Sequence, residues 1–296
     1  MKRISQFVYG IFVFTCLAIN SLGWLILMSY HLLVKKFSSS PIKKQKAEQF
    51  LYKLSDSWTR WNTRIFDFLL PTKVEIKGLE NFTTDKWYLM IANHTCWTDI
   101  LILFRIGVDK LPPLRYVMKE ELKWQLPLIS QACYALGFPF VKRYSKDFLK
   151  KHPEYKGKDR ESLAKSIERF KDQPFTVVNF AEGHRFTKER HEKQKSPYQH
   201  LLKPKAGGIS FIIAAMQNHI DGLINTTIFY PNQNLTLWDY LCGRIDKIEV
   251  RLEKIAINQD ILGNYEEDPE FKITFQRWVN QLWEDKDQQL KKHYQK

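Results

Sequence analysis

The sequence predicts an α/β domain carried behind an N-terminal membrane-anchoring helical segment. Three observations lead there. Apolar runs of strand length and period alternate along the chain with helical apolar seams. The stretch from Phe7 to Val34 contains no Lys, Arg, Asp or Glu and is long enough to cross a bilayer. Three apolar strands stop abruptly at polar clusters, Asn93-His94, Lys142-Arg143 and Glu182-Gly183-His184-Arg185, and strand ends are where ligands collect in an open α/β sheet. The 296 residues suffice for one substantial domain and an appendage. The expected division is residues 1–70, holding an apolar helix over 7–34 and an amphipathic one over 47–70, followed by the α/β domain over 71–296.

The apolar run is longer than a signal-peptide core and no small-x-small site closes it, so a retained anchor is expected. Lys2 and Arg3 precede it, whereas Lys35, Lys36, Lys43, Lys44 and Lys46 follow, a bias that puts the bulk of the chain in the cytoplasm for a single span. A hairpin insertion broken near Asn20 to Gly23 leaves the domain on the same side. After a basic linker, Phe50, Leu54, Trp58, Trp61, Ile65 and Phe68 form a helical seam with Lys53, Arg60 and Arg64 on the other face. Such a helix suits a lipid headgroup layer or packing on the domain equally well. Pro71 stops it.

Val74, Ile76 and Leu79 alternate as a strand; the turn Glu80 to Asp85 leads to a buried strand from Trp87 to Ala92, then to a helix from Ile100 to Ile106. Arg115 to Met118 reads as a short strand, Lys119 to Trp124 as a helix ended by Pro127, and Gly137 to Val141 as a strand. Ser162 to Phe170 is helical and Phe175 to Phe180 a buried strand. Thr187 to Pro197 reads as a polar loop and Ile209 to Met216 as an apolar helix. Ile224 to Tyr230 is a strand stopped by Pro231, Ile245 to Ile255 a further strand, and Phe271 to Lys292 the closing helix.

A formal net charge of +14 and a pI near 9.4 point to anionic partners: nucleic acid, an acidic membrane surface or phosphorylated substrates. Cys16, Cys96, Cys133 and Cys242 are widely spaced, with no C-x-x-C and no zinc-like pairing with histidine. Reduced thiols and no metal site are expected.

His94 and Asp99 carry the chemistry the residues suggest. Five positions on an unbroken helix span about 500°, which puts two side chains on different faces. With His94 in the turn before the helix, its ring can fold back so that Asp99 holds one ring nitrogen and the other is left to accept a proton. An ordinary loop histidine is the plain alternative. Gly183 lets a backbone approach a ligand closely, and arginines near a base suit a phosphate held beside a hydroxyl nucleophile.

In order and spacing these clusters resemble the lysophosphatidic acid (1-acyl-sn-glycerol-3-phosphate) acyltransferase family. Its N-H-x-x-x-x-D motif matches Asn93, His94 and Asp99; G-x-x-F-[IV]-x-R matches Gly137, Phe140, Val141 and Arg143; F-x-E-G-[TS]-R matches Phe180, Glu182, Gly183 and Arg185; and a proline ending an apolar strand falls at Pro231. The likeness runs from about Thr72 to near the end, through Leu202 to Gly207 and Trp278 to Asp287, and looks closest to the bacterial YihG-type branch. Position 184 departs, with His184 where the family has Thr or Ser.

The resemblance implies a glycerolipid-acyltransferase-like mixed β-sheet flanked by helices. It implies that His94 deprotonates the acceptor hydroxyl, that Asp99 orients His94, and that no acyl-enzyme forms. Arg143, Glu182, Gly183 and Arg185 would then build the acceptor phosphate site, with Asn93, Lys119, His184 and Lys205 as further candidates. No cofactor is implied: the acyl donor is a co-substrate, acyl-coenzyme A or acyl-acyl carrier protein. The implied partners are the lysophospholipid, membrane lipids and acyl carrier protein where that is the donor, at the cytoplasmic face of a bacterial inner membrane. A serine hydrolase is disfavoured because no G-x-S-x-G occurs. Nucleic-acid binding rests on charge alone, with no recognisable motif. A catalytically silent lipid-binding protein stays open as the third reading.

Overall fold

A computed structural model of the chain describes residues 2–122, 130, 133, 138–141, 148, 151–155, 158–168, 173–217 and 219–295. Two long helices come first, α1 (Lys2–Phe37) and α2 (Pro41–Leu69), then strand β1 (Lys73–Lys77), β2 (Tyr88–Ala92) and helix α3 (Thr98–Gly107). There follow β3 (Leu114–Tyr116), β4 (Met118–Lys119), β5 (Phe140–Val141), α4 (Lys158–Glu168), β6 (Thr176–Phe180), α5 (Lys188–Gln194) and α6 (Ala206–Met216). The chain closes with β7 (Gly222–Phe229), α7 (Leu237–Leu241), β8 (Lys247–Ile255) and α8 (Pro269–Tyr294).

Six strands form one mixed sheet in the order β1-β8-β7-β2-β6-β3, and β4 pairs with β5 separately. Within the large sheet only β7 and β8 run antiparallel. All five residues of β2 are buried because both faces are covered, which is why this strand reads as a continuous apolar run rather than an alternation. Tyr88, Met90 and Ala92 pack with Ile102 and Ile106 of α3. Leu89 and Ile91 face the other way, among Ile209 and Ile213 of α6 and Val279 and Trp283 of α8. The register sets Ala92 beside Phe180 on one side and Thr226 on the other, so the C-terminal ends of β2, β6 and β7 open onto one edge.

The N-terminal apolar segment is not broken into a hairpin. α1 is continuous through Asn20 to Gly23. Its polar side chains there are partnered: Asn20 donates to Asn62 at 3.0 Å, Trp24 to Asn20 at 3.1 Å, and Trp58 to Ser21 at 3.2 Å. What reads in sequence as a break is the polar part of a helix-helix seam. α2 divides its apolar residues between two surroundings. Leu51 and Phe66 are buried and Trp58 lies 6.3 Å from Phe104, whereas Phe50, Trp61 and Phe68 are exposed. Arg115 of β3 is buried, lying 4.0 Å from the Phe175 ring and 5.7 Å from that of Tyr52 on α2. Burial lowers its pKa to about 10.

Two local expectations are corrected, and one helix is added. Lys119 is not helical: it lies on β4 beside Val141, and the chain turns at Glu120 and Glu121; the rest of that expected helix to Trp124 lies outside the described residues apart from Leu122. The segment read as a polar loop contains α5, a helix started by the Thr187 hydroxyl accepting from the Arg190 N–H. With none of its residues buried, it has no apolar period to betray it. α7 was not anticipated either, although Thr236 and Asp239 form a capping box at its start.

Candidate active site

The strand β2 delivers Asn93 and His94 to the open edge of the sheet, and the site is built from that turn outward. Asn93 is buried and its side chain acts as an extra ladder rung: the amide donates to the Ile228 carbonyl at 3.0 Å and accepts from the Ile228 N–H at 2.9 Å. It is thereby committed to β7 rather than offered to a ligand. The pairing pins the backbone immediately before His94.

Asp99 sits in the first turn of α3, where the helix dipole favours an acid, and four donors converge on its fully buried carboxylate. Oδ2 takes the N–H of Thr95 at 2.7 Å, that of Cys96 at 3.0 Å and Nδ1 of His94 at 2.7 Å; Oδ1 takes the Tyr230 hydroxyl at 2.6 Å. A carboxylate only accepts, so the ring proton is on Nδ1 and the lone pair on Nε2. The imidazole stacks on Phe180, centroids 3.9 Å apart and planes 13° apart, with 13% of its side chain exposed. Nε2 has no partner among the described residues. The arrangement is that of an oriented general base.

Tyr230 carries no signal in the sequence beyond ending a strand before Pro231, since its partner is 131 positions away. Burial and the Asp99 charge push its phenol well above its ordinary pKa, so it is the donor in that bond. Tyr230→Phe keeps the ring and removes the donor, leaving Oδ1 bare in an apolar setting. The expected cost is about 1–3 kcal/mol of stability and about a tenfold fall in kcat, checked by thermal melting and initial rates.

The turn after β6 forms the other wall. Gly183 adopts φ 73°, the left-handed region open to glycine, and its N–H closes onto the Phe180 carbonyl at 2.8 Å. Glu182 is fully buried, and its two oxygens accept the N–H of His94 at 3.2 Å and of Leu202 at 2.9 Å. The sequence placed Glu182 among acceptor ligands, but its carboxyl is spent on holding two backbone segments together. Arg185 is half-buried, its guanidinium 4.7 Å from the ring of Trp97, an exposed side chain of the His94–Asp99 turn. His184 is half-buried beside it. Lys205 is exposed just before α6, and its N–H donates to the Ala181 carbonyl at 2.8 Å. Thus Asn93, His94, Asp99, Glu182, Gly183 and Arg185 meet where the turns after β2 and β6 come together. Lys119 stands exposed on β4. Arg143 and Gly137 lie outside the described residues.

The family model for acyltransferases matches residues 73–232, more than half of the chain. The chain belongs to the acyltransferase family. Among curated proteins, the 1-acyl-sn-glycerol-3-phosphate acyltransferase epsilon of Mus musculus is 24% identical over 228 residues, covering 70% of this chain and 58% of that protein. Lysocardiolipin acyltransferase 1 of Gallus gallus is 22% identical over 271 residues, covering 82% of this chain and 66% of that protein. The acyltransferase chain thus spans less than two thirds of either relative's length. Its fold is shared with the crystal structure of the 1-acyl-sn-glycerophosphate (LPA) acyltransferase PlsC from Thermotoga maritima: TM-score 0.52, 17% identity, covering 95% of this chain and 98% of that one.

Proposed function

We propose that this acyltransferase moves a fatty acyl group from a thioester, acyl-coenzyme A or acyl-acyl carrier protein, to the free hydroxyl of a lysophospholipid. The first-choice acceptor is 1-acyl-sn-glycerol-3-phosphate, giving phosphatidic acid. The observation that carries the reading is the His94–Asp99 pair with Nε2 left open beside an aromatic wall. In the step proposed, Nε2 takes the hydroxyl proton as the acceptor oxygen attacks the thioester carbonyl. The C–S bond then breaks, and the leaving thiolate takes the proton back from the imidazolium. Asp99 balances the transient positive charge. No acyl-enzyme and no cofactor are needed.

Arg185 is the phosphate ligand in this reading: an always-charged fork at the rim of the His94 turn, braced on Trp97. Arg143 and His184 are further candidates from the sequence. A larger lysophospholipid as acceptor is the second reading, favoured by the similarity to a lysocardiolipin acyltransferase.

Membrane attachment is part of the proposal. Among the described residues one helix, Ile4–Phe37, is long and apolar enough to cross a bilayer. Yet Phe7 lies 5.5 Å from Trp238, and Gly10 is buried close against Cys242, so the start of α1 rests on the domain. A helix crossing the roughly 30 Å hydrocarbon core would carry one end away from it. The proposal is therefore that α1 and α2 lie together in one leaflet, with Phe12, Ile19, Ile26 and Phe68 in lipid, at the cytoplasmic face of a bacterial inner membrane.

The test is product analysis with the full chain in detergent, given acyl-coenzyme A or acyl-acyl carrier protein and a panel of lysophospholipids. A diacyl phospholipid is the expected product. Release of free fatty acid alone, or no product from any pairing, overturns the reading. In the same assay Arg185→Ala is expected to raise the acceptor KM about 10- to 100-fold, the worth of a charged hydrogen bond, with a smaller change in kcat.

A further inference from the structure

Lys286 lies on α8 far from His94 in the chain, and it is fully buried. Its ammonium donates to the carbonyl of Thr226 on β7. Thr226 stands in the same row of the sheet as Ala92 and Phe180, and each of those strands runs two residues further to His94 and Glu182. A lysine on the closing helix therefore delivers a positive charge beneath the two turns that form the site. Around it, Glu253 faces from β8, held by Asn225 at 3.2 Å, and the Trp283 ring centroid lies 5.2 Å away. Asp99 faces Glu182 from α3. Asp287, next on α8, is turned elsewhere: it accepts from the N–H groups of Gln199 and His200 and pairs with Lys291.

Both Glu182 oxygens are accepting backbone N–H groups. Protonation would turn one of them into a donor facing a donor. Burial disfavours the carboxylate charge; the Leu202 and His94 N–H groups oppose the burial first, and the field of Lys286 adds to them.

We propose that Lys286 is a positioning residue: its buried ammonium keeps Glu182 a two-oxygen acceptor, which fixes the backbone of the His94 turn and so the aim of Nε2. This rests on His94 acting as the base. Burial pushes Glu182 up and Lys286 down, each against its charged form, while the two N–H donors on Glu182 and the opposite charge of each partner act the other way.

The experiment is a four-protein cycle on the full chain: wild type, Lys286→Met, Glu182→Gln and the double variant, each assayed for kcat, acceptor KM and melting temperature from pH 6 to 9. Removing Lys286 raises the Glu182 pKa further, so activity is lost at low pH and regained as pH rises. Lys286→Met is expected to lower kcat at pH 7 about tenfold, to change KM less than about threefold, and to move the acid limb of the kcat profile up by about one unit. On the Glu182→Gln background the same substitution should change kcat less than about twofold. Lys286→Met should also melt about 10 °C lower than wild type, with the double variant above it.

An equal kcat loss on both backgrounds, or an unmoved acid limb, overturns the proposal. If Lys286→Met does not fold, the double variant is compared with Glu182→Gln: equal kcat supports the coupling, and a further loss refutes it. If the wild type transfers no acyl group, the proposed function fails. The melting cycle then decides the Lys286–Glu182 coupling alone, with strictly additive shifts overturning it.

Discussion

His94→Ala is expected to lower kcat by about 10² to 10⁴, the range for loss of a positioned base, while the protein stays folded. The base is otherwise a hydroxyl's own solvent, and the stacked, largely covered position of the ring leaves water little room to substitute. Folding should suffer mildly. The ring contributes one stacking contact with Phe180, worth about 1 kcal/mol, and one of the four donors on Asp99; the Thr95, Cys96 and Tyr230 donors stay in place. A melting temperature within about 5 °C of wild type is the control. Retention of most of the rate by a folded His94→Ala protein would refute the general-base mechanism.

Asp99→Asn is expected to cost about 10² to 10⁴ in kcat by a different route. The amide oxygen can occupy the place of Oδ2 and keep the Thr95, Cys96 and His94 donors. Its NH₂ then falls where Oδ1 was, against the Tyr230 hydroxyl, which can turn to accept. Geometry and ring tautomer survive. What is lost is the negative charge that offsets the imidazolium formed as the hydroxyl proton moves. Steady-state rates beside a melting curve separate the two effects: a large fall in kcat with a small change in stability is the expected pattern. A collapse of stability with proportionate loss of rate would mean that Asp99 is mainly the cap that builds the turn.

His94 and Asp99 were legible because their relation is local. A buried strand, a turn and a helix follow one another within about twenty residues, so period and punctuation alone predict the junction on which Nδ1 meets Oδ2. The turn at Gly183 was legible for a similar reason: a glycine at a strand end marks the tight turn that its φ of 73° requires. Glu182 was located but its use was misread, because nothing in the spacing of E-G-H-R tells whether a carboxyl turns outward to a ligand or inward to the N–H groups of His94 and Leu202.

By itself the sequence determined the long apolar run at the start, the alternation that makes an α/β sheet, the acyltransferase motifs and the pairing of His94 with Asp99. Tertiary structure alone decided that Asn93 is locked to Ile228, that Tyr230 completes the set of donors on Asp99, that the Lys286 ammonium reaches the Thr226 carbonyl, and that the polar residues of α1 meet α2. The division has a physical cause. Period, turn chemistry and capping act within a few residues and are written along the chain. A buried polar group finds its partner only when strand register and helix packing bring distant segments together, and the cost of leaving it unpaired then selects the contact.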